Sequence, residues 1–239
     1  MNSPVRKSIG AFYTPEILAD LLSKRMIHIS SKKKLRELNV LDPATGESSL
    51  LKSFVNNIKV RKNIHTNILG IDIDSEALNV SKKMLMGLDN NIKFIHTDAL
   101  YPLGKGHIEG WTDIKSKYLP NGINFIISNP PWGADISKYH NLRSDFEVAK
   151  GQFDIYDLFI DTILDNLTEG GIYGIIVPDS IYNHEHNIVR EKLLKQTVIY
   201  YIYRLGESFF EGVNVSISII IGVKGKAKKN HKVSCFHLN

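Results

Sequence analysis

The chain has 239 residues, 43% of them hydrophobic, which is enough for one well-buried domain and too few for two full ones. Its formal net charge of +5 permits a polyanionic partner without establishing one. One cysteine, Cys235, excludes an internal disulfide and a cysteine metal cage; with no apolar leader and no membrane-length apolar run, a reducing, cytoplasmic setting is expected.

A helix is predicted over Ala11–Ile29, where Ile17, Leu18, Leu21, Leu22 and Met26 recur at helical spacing behind the start signal Thr14-Pro15-Glu16. Short apolar strands then alternate with helices. Strands are expected at Asn39–Leu41, Ile68–Ile73, Ile92–His96, Ile123–Ser128 and Ile172–Val177, with helices at Ser48–Ile58, Ser75–Leu88 and Asp154–Leu167. Gly170-Gly171 reads as the stop of the last helix. Val198–Tyr203 and Val215–Val223 are β-rich runs with no helix between them, so they must pair antiparallel. The class is therefore α/β: a mostly parallel sheet closed by one reversed strand, with helices on both faces. Tyr101–Asn121 and Gly133–Gln152 read as long irregular segments, a length that usually signals function. The basic runs Lys24–Arg36, Lys59–Lys62 and Lys224–Lys232 read either as a phosphate footprint or as solvated loops.

Two constellations carry chemistry. In the first, Val40-Leu-Asp-Pro-Ala-Thr-Gly46 ends a strand and turns into a helix, while Asp72 and Asp98 end the next two strands. Open α/β sheets bind ligands at the carboxyl ends of their strands, so Asp42, Asp72 and Asp98 fall along one crevice suited to a nucleoside with a positive end. Each could instead cap the helix that follows it.

The second constellation is Asn129-Pro130-Pro131-Trp132, directly after a strand. Two prolines stiffen the turn and hold the Asn129 amide and the Pro130 carbonyl in fixed directions. Two acceptors aimed at an aromatic amine favour its pyramidal, nucleophilic form, and a neutral amide avoids burying another charge. Trp132 offers a flat face on which an extruded base can stack, a contact worth about 1–3 kcal/mol.

These motifs resemble those of the gamma class of adenine-N6 DNA methyltransferases of restriction–modification systems. Gly10-Ala-Phe-Tyr-Thr-Pro15, Asp42-Pro-Ala-Thr-Gly46, Asn129-Pro-Pro-Trp132, Asp154-Ile-Tyr-Asp-Leu-Phe159 and Gly170-Gly-Ile-Tyr-Gly-Ile-Ile-Val-Pro178 match in order along nearly the whole chain. The resemblance implies a class I, Rossmann-like fold with a seven-stranded sheet whose last strand is reversed. It also implies one catalytic domain over 1–239, with residues 1–30 as an N-terminal cofactor-motif helix and a target-recognition domain absent from the chain.

The implied reaction is direct methyl transfer from S-adenosylmethionine to the N6 amine of a flipped-out adenine in DNA. Asn129, Pro130 and Trp132 would be catalytic. Thr14 would hold the methionine carboxylate and Asp42 would lie near its ammonium, in the turn that includes Ala44 and Gly46. Asp72 would bind the ribose, Ile73 and Phe159 would enclose the cofactor adenine, and Asp98 would accept from its amine. Phe209 or Phe210 would stack opposite Trp132, the Phe-Glu-Gly-Val context favouring Phe210.

No metal is implied. Partners would be DNA, a separate specificity subunit or C-terminal recognition domain, and a paired restriction endonuclease. The family usually has a second glycine where this chain has Ser48, so that side chain is expected either to narrow the cofactor pocket or to cap the next helix. The same chemistry on RNA adenine or a protein glutamine, and a non-catalytic scaffold, are the alternatives.

Overall fold

The computed structural model describes residues 14–31, 37–59, 64–88, 91–207, 209–210 and 214–238. Among these residues, eight strands form one sheet in the order β3-β2-β1-β4-β5-β7-β6-β8. They are β1 (Glu37–Asp42), β2 (His65–Asp72), β3 (Asn91–His96), β4 (Ile123–Ser128), β5 (Leu167–Pro178), β6 (Thr197–Arg204), β7 (Ile217–Lys224) and β8 (Ser234–His237). All pairings are parallel except those of β7, which runs against both β5 and β6. The reversed strand is thus the seventh, as the sequence implies. An eighth strand, unread in the sequence, adds to the edge beside β6 with every residue exposed.

Register is fixed by polar as well as apolar side chains. Asn91 donates to Asn67 at 3.0 Å and Asn67 to Asn39 at 2.8 Å, a ladder across three neighbouring strands. The chain order turns back between β1 and β4, which opens a crevice at their carboxyl ends.

Among the described residues, six α-helices flank the sheet: α1 (Glu16–Ser31), α2 (Ser49–Ile58), α3 (Ser75–Met84), α4 (His107–Tyr118), α5 (Ile155–Asn166) and α6 (Asn187–Gln196). Right-handed crossovers put α2 and α3 on one face and α4, α5 and α6 on the other. α1 lies against α2 and over β5 and β7. It approaches the sheet closely because Gly174 has no Cβ to meet Leu22 and Met26. Among the described residues, no helix is long and apolar enough to cross a membrane.

Several expectations need correction. The opening helix begins at Glu16 within the described residues, and its expected first turns at 11–13 lie outside them. Tyr101–Asn121 is not irregular, for it holds a 3-10 turn (Pro102–Gly104) and α4. Gly133–Gln152 contains two 3-10 stretches, Ser137–Asp145 and Glu147–Lys150. Gly170-Gly171 does not stop a helix. α5 ends at Asn166, and the two glycines lie within β5, where the register against β4 jumps from Leu167 opposite Ile123 to Ile172 opposite Phe125. The extra residues need a bend, and Gly170 supplies it at φ 73°.

α5 and α6 are tied by a buried ion pair between Lys192 and Asp161, with Asp165 2.7 Å from the same ammonium. Lys192 is 6% exposed and Asp161 fully buried, and burial pushes the Asp161 carboxyl above its ordinary range. Lys192→Met leaves that carboxyl without its cation, and unfolding free energy is expected to fall by about 3 kcal/mol at pH 7. The loss should shrink at lower pH, where Asp161 takes up a proton; urea denaturation of both proteins at the two pH values checks this.

Candidate active site

The crevice is a cleft of about 340 Å³ at the carboxyl ends of β1 to β4. Its lining includes Ala44, Gly46, Asp72, Ile73, Asp98, Asn129 and Phe159, all singled out from sequence. Thr14, Asp42, Pro130, Trp132 and Phe210 are not part of that lining, and each is buried.

The turn after β1 is held from beneath. Thr45 N–H donates to the Ile71 carbonyl at 2.9 Å, and Gly46 N–H donates to Asp72 Oδ2 at 2.7 Å. Gly46 sits at φ 52° and Ser48 at φ 65°, both in the left-handed region. A glycine takes that conformation without strain, whereas a serine there costs of order 1 kcal/mol. Ser48 offsets the strain by bonding: its hydroxyl donates to Ser81 Oγ at 2.8 Å and lies 2.9 Å from Thr45 Oγ1, and Ser81 in turn donates to the Gly46 carbonyl at 2.7 Å. Ser48 therefore neither lines the cleft nor caps α2 through its side chain; it fastens the turn to α3.

Asp42 is fully buried at the end of β1. Its Oδ1 accepts from Ala44 N–H and from the Ser128 hydroxyl, each at 3.1 Å, which joins the ends of β1 and β4. Its Oδ2 is buried with no hydrogen-bond partner among the described residues. Desolvation, reinforced by the nearby charge of Asp72, pushes the carboxyl up to about 8 against the two hydrogen bonds that oppose it. Asp72 is raised as well, again by burial, although Asp74 N–H and Gly46 N–H both donate to it. Ile73 beside it is 42% exposed, an apolar face open to a ligand.

Asp98, at the end of β3, accepts from Leu100 N–H at 2.9 Å through Oδ1. Through Oδ2 it accepts from Tyr139 Oη at 2.8 Å and Lys138 Nζ at 3.2 Å. Both donors also line the cleft, and neither was singled out from sequence. Nothing in the spacing links residues 41 positions apart; the only signal was that they fall in a long segment after the Asn-Pro-Pro-Trp motif.

The Asn129 amide is oriented by donation from Nδ2 to Thr14 Oγ1 at 3.0 Å, which sets Oδ1 as the acceptor end. The Thr14 hydroxyl is thus engaged with Asn129 rather than with the start of α1. Its motif neighbours Gly10–Tyr13 lie outside the described residues. Downstream, Gly133 N–H donates to both oxygens of Asp154 at 3.0 and 3.1 Å. Asp154 also caps α5 in a capping box with Asp157, whose Oδ2 lies 2.7 Å from His186 Nδ1. Trp132 and Phe210 meet edge to face, centroids 5.0 Å apart at 89°. A base can lie between the two rings only if they separate, since their present contact fills that space.

The described parts of the basic runs are elsewhere; residues 32–36 and 60–62 of those runs lie outside the described residues. Lys24–Ser31 ends α1, Lys59 follows α2 and Lys224–Lys232 follows β7, all at the amino ends of the parallel strands and so at the pole opposite the cleft. Lys224 itself turns inward to the Leu164 and Leu167 carbonyls.

The raised Asp42 carboxyl has a consequence for stability. Between the ordinary carboxylate value and pH 8 the folded chain holds a proton that the unfolded chain has released, so stability falls as pH rises through that window. The slope approaches about 1.4 kcal/mol per pH unit for this one group. Asp42→Asn, which cannot ionise, is expected to flatten the decline; chemical denaturation from pH 5 to pH 8 measures it.

Comparison with known proteins agrees with the geometry. Residues 2–238 match the family model described as N-6 DNA Methylase. The type II methyltransferase M.BanIII of Aneurinibacillus aneurinilyticus is 31% identical over 92% of this chain and 39% of its own length. The methylase subunit of the type I restriction enzyme MpnII of Mycoplasma pneumoniae is 26% identical over 94% of this chain and 42% of its own. The chain thus spans about two fifths of the length of these relatives. Among solved structures, a Listeria monocytogenes protein described as a class I S-adenosylmethionine-dependent methyltransferase superposes with a TM-score of 0.75 at 20% identity, covering 94% of this chain and 65% of that one. The type I restriction–modification methyltransferase subunit of Streptococcus thermophilus gives 0.71 at 17% identity, covering 95% and 47%. The ordered motifs, the turned-back sheet and the matched family model together make this chain a member of the N-6 DNA methylase family.

Proposed function

We propose that this domain transfers a methyl group from S-adenosylmethionine to the N6 amine of an adenine in DNA. The observation that carries the reading is the Asn129 amide, locked by Thr14 at 3.0 Å on a proline-stiffened turn that borders the cleft. When bound, the cofactor supplies an electrophilic methyl on a sulfonium.

The residues present fit such a cofactor. The buried, unpartnered Oδ2 of Asp42 calls for a positive group, and an ammonium arriving beside it favours the ionised carboxylate. Asp72 offers carboxylate oxygens to ribose hydroxyls, Ile73 and Phe159 offer apolar faces to an adenine ring, and Asp98 offers an acceptor to its amine. Ala44 and Gly46 line the same cleft.

On the substrate side, Asn129 Oδ1 and the Pro130 carbonyl accept from the target amine. This directs its lone pair toward the methyl and stabilises positive charge developing on nitrogen. Trp132 stacks on the base, with Phe210 on the other side once the two rings part. No covalent intermediate is needed, and Cys235 lies exposed on the edge strand, four strands from β4.

The described run Lys224–Lys232 lies at the pole opposite the cleft, which supports phosphate contacts and sequence specificity coming from another domain or subunit. This fits relatives more than twice the length of this chain, one of them named as a restriction-enzyme subunit. A paired endonuclease belongs to the same reading.

Asn129→Ala is expected to lower methyl transfer at least about 100-fold, with affinity for S-adenosylhomocysteine changed less than about threefold. Equal loss of both would make Asn129 structural. Transfer from tritiated cofactor to DNA, RNA and protein in parallel tests the substrate; label in RNA or protein and not in DNA overturns the proposal.

A further inference from the structure

We infer that Tyr139 is a positioning residue for the cofactor's nucleoside: its phenol holds the Asp98 carboxylate in the orientation that accepts the adenine amine. The inference rests on the cofactor reading above and adds a residue that neither the motifs nor the comparisons assign.

Three observations meet at Asp98. Its Oδ1 is fixed by Leu100 N–H at 2.9 Å, so the carboxylate cannot rotate freely. Its Oδ2 receives the Tyr139 phenol at 2.8 Å and the Lys138 ammonium at 3.2 Å. All three side chains line the same cleft as Ile73 and Phe159.

The two donors are unequal. Lys138 is 53% exposed and rests over the Tyr139 ring, 4.5 Å from its centroid, so water screens its charge and it can swing away when a ligand amine arrives. Tyr139 is 4% exposed and cannot leave. Burial, and then the Asp98 charge, push its phenol far above the ordinary value, so it remains a donor at any physiological pH. A carboxylate oxygen has two lone pairs, so the phenol can occupy one while the other faces the cleft. The phenol thereby directs the free lone pair, and a ligand with an amine at that point is preferred over one with a carbonyl, whose oxygen would face a fixed carboxylate oxygen.

The arrangement also joins the two halves of the site. Tyr139 lies six residues beyond Gly133, in the segment that leaves the Asn-Pro-Pro-Trp turn and lines the cleft through Ala134, Asp135 and Lys138. Its bond to Asp98 fastens the downstream end of the target-facing loop to the nucleoside end of the cofactor cleft.

The test is calorimetric titration of the purified chain with S-adenosylhomocysteine and with S-inosylhomocysteine, which carries a carbonyl in place of the amine. The wild type is expected to prefer the adenosine compound by at least about tenfold. Tyr139→Phe should weaken that compound about tenfold and leave the inosine compound within about twofold, so that the preference collapses. If Tyr139→Phe weakens both ligands equally, the phenol only supports the fold and the inference is overturned. Asp98→Ala provides a second variant should the phenylalanine variant not fold. It is expected to erase the preference, and its retention overturns the inference too. A wild type that binds neither compound overturns the cofactor reading itself; one that binds the adenosine compound with a preference indifferent to Tyr139 overturns this inference alone.

Discussion

The buried carboxylate of Asp42 is the constraint on which the crevice depends. It sits where the strand order turns back, accepts from Ser128 on the neighbouring strand, and so holds the ends of β1 and β4 together. Burying a carboxylate with one oxygen unpartnered is costly unless it takes up a proton or meets a cation. Next to the cleft-lining Pro43 and Ala44, the domain therefore keeps a buried acid that holds a proton below about pH 8 and that a ligand's positive charge would ionise. Stability given up at this point becomes affinity for the ligand that restores it.

Around that point the remaining residues act chiefly by holding one another still. Thr14 orients Asn129, Gly46 is bonded to Asp72, and Asp154 gathers the Gly133 amide to the start of α5. From Asp154 the chain of bonds continues through Asp157 to His186, so the target-facing loop is anchored to the segment leading into α6. Such anchoring matters because the proposed chemistry asks two acceptors to meet the hydrogens of one amine, and small misplacements weaken oriented dipoles steeply. Trp132 and Phe210 are the exception, closed on each other where a base would enter. Opening that contact exposes two aromatic faces, and a stacked base covers them again.

On the proposed function, the described charges set catalysis apart from DNA holding. Among the described residues, Lys59 and the run Lys224–Lys232 lie at the pole opposite the cleft, away from phosphates that would flank a base inserted at Asn129. On the proposed function, a domain built this way would supply cofactor and acceptor geometry and leave the grip on the duplex to another domain or subunit. The greater length of its relatives is in keeping with that division.

Much of this architecture is written locally. Strands such as Ile123–Ser128 are apolar runs bounded by turn residues, and the acids at 42, 72 and 98 follow three such runs, so both the α/β class and the line of the crevice can be read without coordinates. The rigidity of Asn129-Pro-Pro-Trp132 is likewise a property of the tetrapeptide. α4 and α6 escaped notice because their buried positions carry His107, Gly110 and Lys192, which dilute the apolar period a helix normally shows. Only the tertiary structure decided that Ser48 bonds to α3 instead of entering the cleft, that Asp98 is held by Tyr139, and that Trp132 is closed against Phe210. Each of these is a meeting between segments distant along the chain, set by how the layers pack; periodicity and turn chemistry act over a few residues and carry no record of it.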